Sequence, residues 1–128
     1  MRSFVADFET TTIEENCHVW AYAVCEVGNS TEVQIGTTID DFMMWCKSRP
    51  DNIKVYFHNL KFDGQFILYW LFHHGFKHAA TPEEKASNTF TTLISDKGMY
   101  YVIEVFFYLR GKKVKKVTFQ DSLKLIPL

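Results

Sequence analysis

Asp7 and Glu9 are the first residues of the chain with the type and spacing to hold a metal ion. They stand two apart in Asp7-Phe8-Glu9-Thr10, which closes the apolar run Ser3-Phe4-Val5-Ala6. Strand side chains alternate with a period of two, so both carboxylates point to one face. A third carboxylate, Asp63, lies in His58-Asn59-Leu60-Lys61-Phe62-Asp63-Gly64, directly after a second strand-like run. Carboxylate oxygens are hard ligands that suit Mg²⁺ or Mn²⁺. Two such ions roughly 4 Å apart activate a water and stabilise the leaving oxygen of a phosphodiester. Acids at two strand ends therefore predict a two-metal phosphodiester site. An Asp-x-Glu pair alone is a weak signal; Asn59 and Asp63 at a second strand end give it weight.

The neighbours of the acids have two readings each. His58 is a general base, a DNA contact or a packed histidine. Tyr56, Phe62, Phe66 and Tyr69 can stack on unpaired bases, a sequence-tolerant way to hold a single strand, but aromatics at strand and helix spacing usually build a core. Phe62, placed in a loop, is the one read as stacking. Asn59 and Thr10 are donors to phosphate or sugar, or ordinary turn residues. His73 and His74 have no partner at metal-ligand spacing and read as helix-end residues.

These residues need elements to position them. Residues 4–6 read as a short buried strand, with Thr10-Thr11-Thr12 leading into a loop. Residues 18–27 and 32–36 read as a hairpin about Gly28-Asn29-Ser30, pairing with the first strand. Thr38 reads as an N-cap, with Asp40 and Asp41 in the first turn of an amphipathic helix that ends at Arg49-Pro50. Residues 54–58 form a nearly continuous apolar run, the pattern of a central strand. Residues 65–72 read as a buried helix closed near Gly75. Residues 77–88 read as a surface loop. From Thr89 onward the period becomes two, giving strands at 90–95, 99–109 and 114–120 in an antiparallel meander, with turns at Asp96-Lys97-Gly98 and 110–113.

The chain has 128 residues, 47% of them apolar and 16% aromatic, which predicts a single packed domain over 1–128. With 14 basic and 15 acidic residues, no global charge favours nucleic acid or membrane, so any DNA contact must be local. The run Arg110-Gly111-Lys112-Lys113-Val114-Lys115-Lys116 is a candidate contact; its plainer reading is a solvated hairpin tip. Cys17, Cys25 and Cys46 form no CxxC pair and read as reduced, small buried apolar residues of a cytoplasmic protein. No stretch reaches the length of a membrane span, and Met1-Arg2-Ser3 leads straight into a strand rather than a signal peptide.

Four pieces together, Asp7-Phe8-Glu9-Thr10, then Tyr56 through Gly64, then Tyr100-Tyr101, then Asp121-Ser122-Leu123-Lys124, resemble the N-terminal 3′–5′ exonuclease domain of protein-primed family B DNA polymerases of small bacteriophages. Order and spacing match over nearly the whole chain. The resemblance implies an α/β, ribonuclease-H-like (DnaQ-type exonuclease) fold, a mixed sheet with flanking helices. It implies that Asp7, Glu9 and Asp63 are catalytic metal ligands for Mg²⁺ or Mn²⁺. It also implies that Thr10, Tyr56, His58, Asn59, Phe62, Phe66, Ser122 and Leu123 grip a single-stranded DNA 3′ end or a priming terminal protein.

In that family a later Tyr-x-x-x-Asp motif supplies a fourth ligand and an upstream lysine assists; the present chain stops at Leu128 without either. Relative to the family it therefore reads as C-terminally truncated, a crippled exonuclease of a phage-infected or prophage-bearing cell. Apolar surface left bare would be covered by a protein partner or a second copy. An alternative is a stand-alone binding or inhibitor module that keeps the fold without catalysis. A third possibility is a fourth acid borrowed from Glu104, Asp121 or another subunit.

Overall fold

The computed structural model describes residues 1–11, 17–94 and 101–122. Arg2–Thr10 forms β1, Val19–Glu26 forms β2 and Asn29–Gly36 forms β3, an antiparallel set in which β2 lies between β1 and β3. Gly28, at φ 87, supplies the left-handed residue that the tight β2–β3 turn requires. β1 runs past the predicted end at Ala6 and takes in Asp7, Phe8, Glu9 and Thr10, because β2 continues to pair with it from Phe4↔Glu26 to Thr10↔Val19. Both acids thus sit within a strand, on one face as the spacing required.

Ile39–Ser48 forms α1, capped as expected: Thr38 Oγ1 accepts the Asp41 N–H at 3.0 Å. Ile53–Phe57 forms β4, and Leu60–His73 forms α2, which begins five residues earlier than the apolar run suggests. Phe62 and Asp63 are therefore in the first turn of a helix, not in a loop. After α2, Gly75 takes φ 78 and lets the Phe76 N–H reach the Leu71 carbonyl at 3.1 Å. The segment expected as a plain loop holds a two-residue strand β5 (Lys77–His78) and a 3-10 turn at Pro82–Glu84. Thr89–Ile94, Tyr101–Arg110 and Lys113–Asp121 form β6, β7 and β8, the predicted meander. The Asp96-Lys97-Gly98 turn lies outside the described residues.

These strands make one eight-stranded mixed sheet in the order β3-β2-β1-β4-β8-β7-β6-β5. Its centre, β1-β4-β8, is parallel, and β4 is flanked on both sides as its apolar run predicted. Both helices pack on one face. There Phe8, Phe42, Phe57 and Phe119 pack as a ring cluster: Phe8 meets Phe42 at 5.0 Å and Phe57 at 4.8 Å, and Phe57 meets Phe119 at 6.2 Å. Each edge-to-face pair adds about 0.5–1.5 kcal/mol beyond simple burial, so this cluster is where the sheet and α1 are locked together. The opposite face carries exposed Val5, Val33, Ile35 and Leu93.

The basic run behaves differently along its length. Arg110, Gly111, Lys112 and Lys113 are exposed at the β7–β8 turn, but Lys115 is buried at 2% exposure. Its Nζ donates to the carbonyls of Arg49, at 2.9 Å, and Asp51. The solvated-tip reading fails at this one lysine, because β8 turns it inward beneath the end of α1. Among the cysteines Cys46 is buried, but Cys17 is exposed and its Sγ donates to the Thr11 carbonyl at 3.3 Å. Among the described residues no helix is long and apolar enough to cross a membrane.

Candidate functional site

Three parallel strands that end at one edge of a sheet bring together residues far apart in the chain. Ala6 pairs with Phe57, and Phe57 with Asp121, so the segments that follow these positions converge: Asp7 and Glu9 on β1, His58 and Asn59 after β4, and Ser122 after β8. The carboxyl edge of parallel strands is where open α/β sheets bind ligands. α2 starts at the same edge and carries Asp63 one turn in.

Asp63 is only 6% exposed, whereas Asp7 and Glu9 are exposed. Burial, reinforced by the negative charge of Asp7, pushes the Asp63 carboxyl up to about 6; the Phe8 N–H donated to it works the other way, and Glu9 adds a further upward push. The charges of Asp7 and Glu9 are thus felt at Asp63 across this edge. Among the described residues, the acid, histidine and cysteine side chains nowhere draw together in threes around a common point as bound-metal ligands do. The donor chemistry nevertheless fits a hard divalent ion, which Asp7, Glu9 and Asp63 would hold and whose charge would favour the ionised form of Asp63 against burial and its acidic neighbours.

The start of α2 has an unusual cap. Asn59 stands at the N-cap position with φ −138 and makes no side-chain cap bond. Instead Asp121 Oδ2 accepts the Leu60 N–H at 3.1 Å, from 61 residues away, and Asp121 is 4% exposed. The sequence offers Asp121 only as one possible fourth acid and as the start of Asp121-Ser122-Leu123-Lys124, because no local signal links it to α2. Glu104, the other acid considered, accepts from Thr91 Oγ1 at 3.0 Å and pairs with Lys116 at 3.4 Å.

The residues assigned to DNA are placed as follows. His58 and Asn59 are exposed, which removes the packed-histidine reading of His58. Thr10 and Ser122 are half-buried, and Leu123 lies outside the described residues. Tyr56 is 9% exposed in β4, so its ring is held by the sheet rather than offered to solvent. Phe62 is 42% exposed and meets the half-buried Phe66 edge-to-face at 5.5 Å. Both line a cleft of about 620 Å³ with Gln65, Tyr69, His18 and Asp40, beside the acid edge. His73 and His74 lie at the end of α2, as read, stacked on Tyr69 at 3.9 Å and Trp70 at 4.1 Å.

No protein-family model matches the chain. The DNA polymerase of Bacillus phage B103 is 44% identical over 126 residues, which covers 98% of this chain and 21% of that polymerase. The DNA polymerase of Bacillus phage phi29 is 42% identical over 127 residues with the same coverage, and that of Streptococcus phage Cp-1 is 28% identical over 135 residues. Solved structures of phi29 DNA polymerase, complexed with single-stranded DNA and with primer-template DNA, superpose with a TM-score of 0.85 at 38% identity. Each match covers 98% of this chain and 22% of the polymerase chain. The chain thus spans about a fifth of the length of the curated relatives it matches. It is homologous to the N-terminal region of the phi29-type phage DNA polymerases.

Proposed function

We propose that this chain is the 3′–5′ exonuclease-type module of a protein-primed phage DNA polymerase, holding a single-stranded DNA 3′ end in the bacterial cytoplasm. The observation that supports this reading is that β1 with Asp7 and Glu9 and the first turn of α2 with Asp63 lie at one sheet edge, near enough for the charges of Asp7 and Glu9 to add to the effect of burial on Asp63. Asp7, Glu9 and Asp63 would hold Mg²⁺ or Mn²⁺, which supplies water activation and charge stabilisation at the phosphodiester when bound. Phe62 and Phe66 offer stacking surfaces for terminal bases, and Asn59, Thr10 and Ser122 donate to sugar and phosphate. His58 stands exposed beside them for a phosphate or base contact. The exposed residues Val5, Val33, Ile35 and Leu93 on the helix-free face suit a protein partner or a second copy.

Tested by itself, this stretch of residues should be a slow nuclease, because only three carboxylates of the described residues are candidates to hold the metal. Asp121 is committed to the α2 cap and Glu104 to Lys116 and Thr91, so among the described residues neither is available as a fourth ligand. A site of three carboxylates would hold the attacking water less well than one of four, an effect of several kcal/mol.

The test is Mg²⁺- and Mn²⁺-dependent digestion of 5′-labelled single-stranded DNA by the purified chain, beside Asp7→Ala and Asp63→Ala. Slow laddering from the 3′ end is expected, and either substitution should lower it by about 10²-fold or more. Laddering that survives both substitutions would remove the acids from the mechanism. DNA binding without any digestion would leave a binding module in place of a nuclease.

A further inference from the structure

We propose that Asp121 is a positioning residue, whose carboxylate caps the first turn of α2 and thereby fixes where Asp63 stands relative to Asp7 and Glu9. The first turn of a helix has N–H groups with no partner inside the helix, and a side-chain acceptor from the preceding residues normally takes one of them. Here Asn59 makes no such bond, and the acceptor comes from the end of β8.

The sheet explains why β8 can do this. Phe57 pairs with Asp121 in parallel register, so Asp121 stands beside the last residue of β4, three residues before Leu60. Strand alternation then points Lys115, Val117, Phe119 and Asp121 to the helix-covered face, and all four are buried. Leu60 is itself fully buried, so solvent cannot replace the carboxylate as acceptor for its N–H. The negative charge also suits a helix N-terminus.

On β1, Phe4, Ala6 and Phe8 are buried against the helices while Asp7 and Glu9 point to the other face. Asp121 shares the side of Phe8, where the helix begins. Its effect on the acids passes through α2: Asp63 is one turn beyond Leu60, and its carboxyl lies near enough to the Phe8 N–H of β1 to be influenced by it. A frayed first turn would let Asp63 leave that position. This last consequence rests on the reading of the acids given above; the cap itself does not.

The experiment uses Asp121→Ala and Asp121→Asn in the full chain, with two readouts. Amide hydrogen exchange at Leu60, compared with Val55 and Val117 in the sheet, reads the cap. Titration with Mn²⁺ reads the acids. Asp121→Ala should speed Leu60 exchange about tenfold or more relative to the two sheet amides, the size of one hydrogen bond, and weaken Mn²⁺ binding several-fold. Asp121→Asn keeps an oxygen acceptor, so it should restore both. Unchanged Leu60 exchange in Asp121→Ala would overturn the cap. An Asn variant that protects Leu60 but loses Mn²⁺ as fully as Ala would make Asp121 a ligand instead. If the unaltered chain binds no Mn²⁺, the reading of the acids fails while the Leu60 exchange still decides the cap. Should Asp121→Ala not fold, the Asn variant alone decides: it must protect Leu60 as the unaltered chain does.

Discussion

Asp63 is the residue at which fold and chemistry pull against each other. Its carboxyl titrates near 6, against 3.8 for an unhindered one. Between those values the folded chain keeps a proton that the unfolded chain has lost. Stability from this group is therefore full below about pH 4 and is lost as pH rises through 6, by at most about 3 kcal/mol. Urea unfolding in the presence of a chelator should show that loss, and Asp63→Asn should remove it. Mg²⁺ above pH 6 should restore stability to the unaltered chain alone. The three acids were legible from type and spacing, because a period of two is a local property of a strand. Lys115 and Asp121 were not, since each is defined by partners about sixty residues away: the carbonyls of Arg49 and Asp51, and the N–H of Leu60.

Among the elements, α1 was readable to its caps, because Thr38, Asp40 and Asp41 act within one turn. The start of α2 was not, because its cap is not in its own sequence, and Phe62 moved from loop to helix with it. The junction of β3 with α1 offers a sharper test. Gly36 lies against the Tyr22 ring and the Asp41 carboxylate, and a Cβ there would overlap both. The Tyr22 hydroxyl donates to that same carboxylate, and burial first, then this bond, pushes the tyrosine up to about 12. Gly36→Ala should therefore cost about 1–3 kcal/mol, seen as a lower urea midpoint with an unchanged slope. Tyr22→Phe in the same background should not recover it, since the ring itself is in the way.

At the scale of the molecule, hairpins and the meander were visible in the sequence, but the β1-β4-β8 centre was not. Parallel pairing leaves no turn signature and joins segments too distant for any local pattern. Lys115 reinforces that centre by tying β8 to the connection between α1 and β4, while Asn52 Oδ1 accepts the Lys116 N–H at 2.8 Å. Lys115→Met should leave two carbonyls without a donor and lower stability by about 1–3 kcal/mol, with faster exchange near Asn52 as its local mark. The strand order has a consequence for synthesis on the ribosome. β8 is the single strand joining β3-β2-β1-β4 to β7-β6-β5, and Tyr56 waits for Gln120 to emerge. A nascent chain without β8 would therefore hold two partial sheets with open edges, and the sheet closes only once residues 113–121 have left the ribosome and one strand slides between them, completing the edge that gathers the acids.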